Sequence, residues 1–389
     1  MRKSGNSLLD SVTGGALLHR GGEASIYLLN VGGSPNVLKW YNEGFSFDEN
    51  VIERANKVHV PGLYRIEEWG ERDGTSYLVY EFVEGVVSDK LERLPVAVAL
   101  FALRQVASTL ASLRKQDVSH GDLNPANVIF SPDSCGNPAE SGLRTVVIDC
   151  GIVGPGALAY AAPERFQGRH ADEKSDLFSL GLLLYRWIAG EDLVQADGYE
   201  GFAEQMANVQ NVNITEKLYS TGAFGTPDGA QQLVALEPLW KGLLRADAEE
   251  RVEDFDELDE LLEIALDRVG GGEIALSSSV VRFVESRLKS SENIPNMARK
   301  VPTALEKDVP FMVRKKKNGL KWAVLGVLVL ILALIVLLLS SGTMSFGIDA
   351  TGDRLLKRSR SIESSVESEN ASDLKVDSLL LELPMPSDQ

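Results

Sequence analysis

Val128-Ile129-Phe130 and Val146-Val147-Ile148 are two triplets of β-branched or aromatic residues, each bounded by loop residues. That pattern predicts two short strands. Paired as a hairpin, they bring the start of the first strand and the end of the second to one edge. Asn127 stands just before the first triplet and Asp149 just after the second, so an amide and a carboxylate converge there. Residues 77–83, Tyr-Leu-Val-Tyr-Glu-Phe-Val, make another apolar strand that runs out at Gly85. In residues 45–55, Asp48 is suited to cap a helix, and Glu49 and Glu53, four apart, share one face of it.

A much longer apolar run changes the picture. Residues 322–348 carry no charge and 322–339 are almost wholly apolar, against the roughly 20 residues that cross a hydrocarbon core. A single membrane-spanning helix is therefore predicted over 321–341. Arg314, Lys315, Lys316, Lys317 and Lys321 crowd its N-terminal flank, while Arg354, Lys357, Arg358 and Arg360 lie farther off on the other side. The positive-inside rule then puts the preceding residues in the cytoplasm. Residues 1–18 hold no sustained apolar core, so no secretory signal peptide is expected. The span is read as a signal anchor in the inner (plasma) membrane, with 342–389 as a short tail outside. That tail is rich in Ser, Glu and Asp, a composition that does not bury a core. Gly270-Gly271-Gly272, Pro295, Pro302 and Pro310 mark 269–320 as a juxtamembrane linker, with an amphipathic helix predicted over 280–288.

Composition narrows the partners. The 389 residues carry a formal net charge of −17, which argues against nucleic acid as a partner. The two cysteines, Cys135 and Cys150, form no metal-ligand pattern; both are expected to be reduced.

The candidate chemistry lies at the hairpin edge. Asn127 and Asp149 offer hard oxygens, and Mg²⁺ is bound by few protein oxygens with water and phosphate filling the rest. Asp122, five residues before Asn127, is placed to accept a hydroxyl proton or orient a nucleophile.

These pieces, with others in the same order, resemble the protein kinase superfamily over residues 10–268, in its compact, bacterial Ser/Thr style. His120-Gly121-Asp122 with Asn127 is similar to the catalytic loop, and Asp149-Cys150-Gly151 to the metal-binding motif. Val37-Leu38-Lys39 resembles the strand whose lysine contacts the ATP phosphates. Gly21-Gly22-Glu23-Ala24-Ser25-Ile26 resembles the second half of the glycine-rich loop, and residues 77–85, with Glu81 and Val83, the hinge that holds adenine. Ser175-Asp176 resembles the start of the central helix, whose aspartate braces the catalytic loop. Arg251 stands where an arginine pairs with the glutamate of Ala162-Pro163-Glu164. The resemblance implies an α+β, two-lobed fold, ATP and Mg²⁺ as cofactors, and a protein substrate. It assigns Asp122, Lys39 and a helix glutamate, Glu53 in preference to Glu49, to catalysis. Gly21, Gly22, Ile26, Lys39, Glu81 and Val83 fall to nucleotide binding, and Asn127 and Asp149 to the metal.

The departures from the family pattern are specific. Gly121 replaces the arginine that docks a phosphorylated activation loop, and residues 152–162 contain no Ser or Thr. Together they imply an enzyme without activation-loop phosphorylation control. Asn124 and Ala157 replace a lysine and a threonine that meet the catalytic aspartate in Ser/Thr kinases, and His19 and Ala24 replace glycines of the phosphate loop. A catalytically weak or silent scaffold is the alternative these substitutions raise. The His-Gly-Asp loop also resembles small-molecule phosphotransferases, against which stand Glu164, Asp176 and Arg251.

Overall fold

The computed structural model describes residues 7–57, 59–132, 142–150, 156–222, 224, 226–270, 279–288 and 309. The chain divides into a unit Met1–Val313, which holds all of these, and a unit Arg314–Gln389. The expected membrane span at 321–341 and the tail at 342–389 lie outside the described residues, as do Cys135 and Gly151.

The N-terminal part is an antiparallel sheet of β1 (Val12–Arg20), β2 (Ala24–Val31), β3 (Ser34–Tyr41), β4 (Ile66–Arg72) and β5 (Thr75–Glu81), in the order β1-β2-β3-β5-β4. Helix α1 (Glu49–Asn56) lies between β3 and β4 in the chain. The two-residue period of a strand sorts side chains to opposite faces. Leu38, Tyr77 and Val79 join one apolar cluster with Leu9, Val12 and Leu29. Leu78 and Tyr80 join a second, with Ile52, Tyr64, Ile129 and Val146. Lys39 follows Leu38 and pairs in register with Ile26 and Leu78, so it points to the second face, toward the other lobe.

The C-terminal part is helical around a small sheet. Strands β6 (Val86–Val87), β7 (Val128–Pro132) and β8 (Leu143–Val147) pair antiparallel in that order. Helix α2 (Val96–Arg114) precedes β7; after β8 come α3 (Pro163–Phe166), α4 (Glu173–Ala189), α5 (Gly198–Ala207), α6 (Ile214–Ser220), α7 (Pro227–Leu243) and α8 (Phe255–Gly270). The hairpin predicted from the two apolar triplets is present, with Val128 opposite Val147 and Ile129 opposite Val146.

Helix α4 is buried along nearly its whole length, so ordinary amphipathic patterning is lost and its ends must be marked otherwise. Asp172 and Ser175 close a reciprocal capping box at its start, and Gly190 at φ 84° ends it; both are strong terminal signals. Among the described residues, α2 is the helix long and apolar enough to cross a membrane. Its Leu100, Leu103 and Leu110 are instead core of the helical lobe.

The lobes are joined by backbone. The Val147 N–H donates to Gly62 O at 2.7 Å and the Tyr64 N–H to Val147 O at 2.8 Å, tying the loop before β4 to the end of β8. Gly85 lies so close to β7 that a Cβ there would stand 2.5 Å from Phe130 O.

Part of the linker is packed. Residues 279–288 are helical, and Val280, Phe283, Val284 and Leu288 are buried in the C-terminal core. Their spacing is one face of a helix, and Phe283 meets Phe130 of β7 edge-on at 6.1 Å. Val309 is buried at 1% exposure against Leu9, Val12 and Leu29 in the N-terminal lobe. Within the expected linker 269–320, the described helix 279–288 lays its apolar stripe on the domain.

Candidate active site

The sheet and hairpin bring Lys39 and Asp149 together from positions 110 residues apart: Lys39 Nζ donates to Asp149 Oδ2 at 2.9 Å. Burial draws the lysine's pKa down, and the Asp149 carboxylate more than offsets it, leaving the ammonium above its ordinary 10.5. Asp149 stands at φ 60°, a left-handed conformation uncommon for a residue with a Cβ. Its other oxygen, Oδ1, accepts a hydrogen bond from Tyr80 Oη at 3.1 Å. Tyr80 is buried and stacks on Tyr64 with ring centroids 4.7 Å apart. Burial, with Asp149 adding to it, raises the Tyr80 phenol well above its usual pKa, so it remains a donor at any ordinary pH.

The catalytic-loop residues are held by main chain. Buried Asp176 accepts the His120 N–H at 2.7 Å on Oδ2 and the Gly121 N–H at 2.9 Å on Oδ1. Burial raises its pKa against the opposing pull of His120 and the two N–H donors. His120 Nε2 lies 2.8 Å from Ile148 O, and its Nδ1 accepts the Asp122 N–H at 3.2 Å. That second bond makes Nδ1 the acceptor, so Nε2 carries the proton in a neutral ring. Gly121 sits at φ 78°, free of strain only for glycine.

Asp122 is oriented from two sides. Asn127 Nδ2 donates to Asp122 O at 2.8 Å and to Oδ2 at 3.0 Å, while the Ala157 N–H donates to Oδ1 at 2.6 Å. With its amide hydrogens given to Asp122, Asn127 presents Oδ1 as its remaining polar atom, and the Ile148 N–H bonds the Asn127 carbonyl at 3.0 Å. Asn127 and Asp149 therefore flank one edge of the hairpin. One amide oxygen and one carboxylate suit Mg²⁺, which takes its remaining ligands from water and phosphate, and an ion held there would neutralise phosphate charge.

The other residues expected to bind nucleotide come from the N-terminal sheet and the chain just after it. Gly21 and Gly22 form the tight β1–β2 turn; the Gly21 N–H donates to Ala24 O at 2.9 Å, and Asn42 Nδ2 donates to Gly21 O at 3.2 Å and Gly22 O at 2.7 Å. Ile26 is half-buried opposite Lys39. Val83 packs with Val37, Ile129 and Ile148 in one apolar cluster at the lobe junction. Glu81 ends β5 exposed, its N–H bonded to Arg65 O at 3.1 Å. Glu53 and Glu49 are both on the exposed side of α1, whose buried side chains are Ile52 and Ala55; the lysine's ion partner is Asp149. Cys150 packs partly against the core, and burial, with Asp149 next, pushes its thiol up to about 12.

Sequence reasoning passed over Tyr80 and the Gly156-Ala157 backbone. Tyr80 shares its strand face with Leu78, beside Lys39, so strand alternation carries a signal for it. A main-chain N–H carries none, because every residue but proline has one.

The arginine–glutamate pair expected from the resemblance is formed: Arg251 Nη1 and Nη2 donate to Glu164 Oε1 and Oε2 at 2.6 and 2.8 Å. Comparison with known proteins agrees with this geometry. The protein kinase domain model matches residues 47–263, more than half of the chain. The serine/threonine-protein kinase PknJ of Mycobacterium tuberculosis is 30% identical over 142 residues, covering 34% of this chain and 24% of its own. The serine/threonine-protein kinase pkn2 of Myxococcus xanthus is 30% identical over 222 residues, covering 54% and 26%. The chain thus spans about a quarter of the length of these curated relatives. A crystal structure of Rad53 with AMP-PNP shares the fold, with a TM-score of 0.52 at 18% identity over 68% of this chain and 67% of that one. The chain belongs to the protein kinase domain family.

Proposed function

We propose that this chain is a Ser/Thr protein kinase that transfers the ATP γ-phosphate to a protein hydroxyl, with Lys39, Asp122, Asn127 and Asp149 as its working groups. The observation that carries the proposal is two bonded pairs linked through the hairpin: Lys39 bonded to Asp149 at 2.9 Å, Asn127 bonded to Asp122 at 3.0 Å, and the N–H of Ile148, next to Asp149, bonded to the Asn127 main-chain carbonyl at 3.0 Å. Lys39 is a buried cation for the phosphates, and Asp122 accepts or orients the substrate hydroxyl proton. Asn127 Oδ1 and Asp149 would hold Mg²⁺. Val37, Val83, Ile129 and Ile148 supply the apolar surface for adenine, and Gly21 and Gly22 the turn above the phosphates.

The enzyme works without activation-loop phosphorylation. Position 121 is glycine where the receptor arginine would stand, and residues 152–162 offer no Ser or Thr hydroxyl to phosphorylate. It is held at the membrane by the apolar segment 321–341, with its kinase domain on the cytoplasmic side. The test is radiolabelled phosphate transfer to protein by the full chain beside Asp122→Asn. Strong labelling lost in the variant supports the reading; ATP binding with equal or no labelling in both leaves a scaffold. Labelling of a small alcohol but no protein assigns a small-molecule phosphotransferase.

A further inference from the structure

Asn124 and Ala157 stand where Ser/Thr kinases of the family carry a lysine and a threonine that reach the catalytic aspartate. Neither side chain does that here. Asn124 Nδ2 donates to the Asp122 carbonyl at 3.0 Å, and its Oδ1 accepts the Ala126 N–H at 2.9 Å. The amide is committed to the loop's own backbone, and the Ala157 methyl has nothing to donate.

Asp122 Oδ1 nevertheless has a donor, the Ala157 N–H at 2.6 Å. The approach depends on Gly156. It adopts φ 70°, and a Cβ built there would overlap Asp122 Oδ1 and stand 3.0 Å from Cγ. Glycine is thus required twice, for the left-handed conformation and for the space. With Asn127 Nδ2 on Oδ2, the carboxylate has one donor on each oxygen. Two donors on opposite oxygens set both its position and its plane, and each oxygen keeps a lone pair for a substrate hydroxyl.

We propose that the Gly156-Ala157 backbone is the positioning device for Asp122, a main-chain N–H in the place of the usual side-chain hydroxyl. A main-chain donor cannot rotate away and cannot be phosphorylated, which suits a segment without Ser or Thr. This role rests on the kinase reading above. The same contact seen as a plug, blocking the substrate hydroxyl, makes the opposite kinetic forecast.

The test compares Gly156→Ala with Gly198→Ala in the full chain. Gly198 has nearly the same φ, 69°, with nothing within 4 Å of its Cβ position. The two variants therefore carry a similar backbone cost, and only the first displaces Asp122. Gly156→Ala is expected to lose about 100-fold in kcat, the cost of an ångström-scale misplacement, while KM for ATP stays within about two-fold. Gly198→Ala is expected to keep the parent kcat. Ala157→Pro is a second probe: Ala157 already has φ −68°, which proline adopts, and the change deletes the N–H. Its kcat is expected to fall in the same way. If Gly156→Ala and Ala157→Pro both match Gly198→Ala, the positioning role is overturned; a rise in kcat in either makes the contact a plug. A parent chain that binds ATP but transfers no phosphate overturns the kinase reading instead, and Asp122→Asn then equals the parent.

Discussion

Arg251 and Glu164 are joined by two parallel hydrogen bonds, across 87 residues of chain, with side-chain exposures of 0% and 7%. The guanidinium also donates to the carbonyls of Lys174 and Arg245 and lies 4.8 Å from the centre of the Phe178 ring. A pair so buried is costly to break, because the surviving charge has no water to turn to. Glu164→Gln or Arg251→Met is expected to destabilise the domain by about 3–5 kcal/mol. Urea unfolding measures this; a loss below about 1 kcal/mol would place the pair among exposed bridges.

The helix at 279–288 is part of the domain's stability. Phe283 is 5% exposed and packs on Phe130. Phe283→Ala is expected to cost about 3 kcal/mol, the lower end for a buried aromatic. A midpoint equal to the parent's would return this segment to a free tether.

Arg104 and Asp259 join α2 to α8 with bonds of 2.6 and 2.8 Å. The hydrogen bonds from Arg104 lower the Asp259 pKa below its ordinary 3.8. A carboxylate with a depressed folded pKa contributes stability above 3.8, and that contribution is lost as pH falls through the folded value. Both side chains are more than a third exposed, so salt screens the pair and the effect is small. Asp259→Asn is expected to narrow its stability gap to the parent as pH falls below 3.8, with chemical denaturation at several pH values as the check. A constant gap would contradict it.

The Cys150 thiol, held up to about 12 by burial and then by Asp149, is a poor nucleophile near neutrality. Native protein at pH 8 is expected to alkylate Cys150 far more slowly than urea-unfolded protein, read by mass spectrometry of the peptide. Equal rates would contradict the raised thiol pKa.

The hairpin of β7 and β8 was legible because β-branched triplets are local, and Asn127 and Asp149 came with it by adjacency. Asp122, Lys39, Asp176 and Arg251 could be numbered from motif spacing. Partners were harder to number. Glu53 was preferred to Glu49 as the helix glutamate, yet with Ile52 and Ala55 buried both glutamates are exposed, and Asp149 is the ion partner of Lys39. The apolar stripe of 280–288 was visible, but nothing local said what it would cover.

Sequence alone determined the β7–β8 hairpin, the strand that begins near Tyr77 and the order of the chemical groups, because those follow from side-chain type and near-neighbour spacing. Tertiary structure decided which donors reach each carboxylate: Tyr80 and Lys39 on Asp149, Asn127 and the Ala157 N–H on Asp122. Those contacts depend on the register between strands and on one left-handed glycine. A main-chain donor looks the same at every position until the fold aims it.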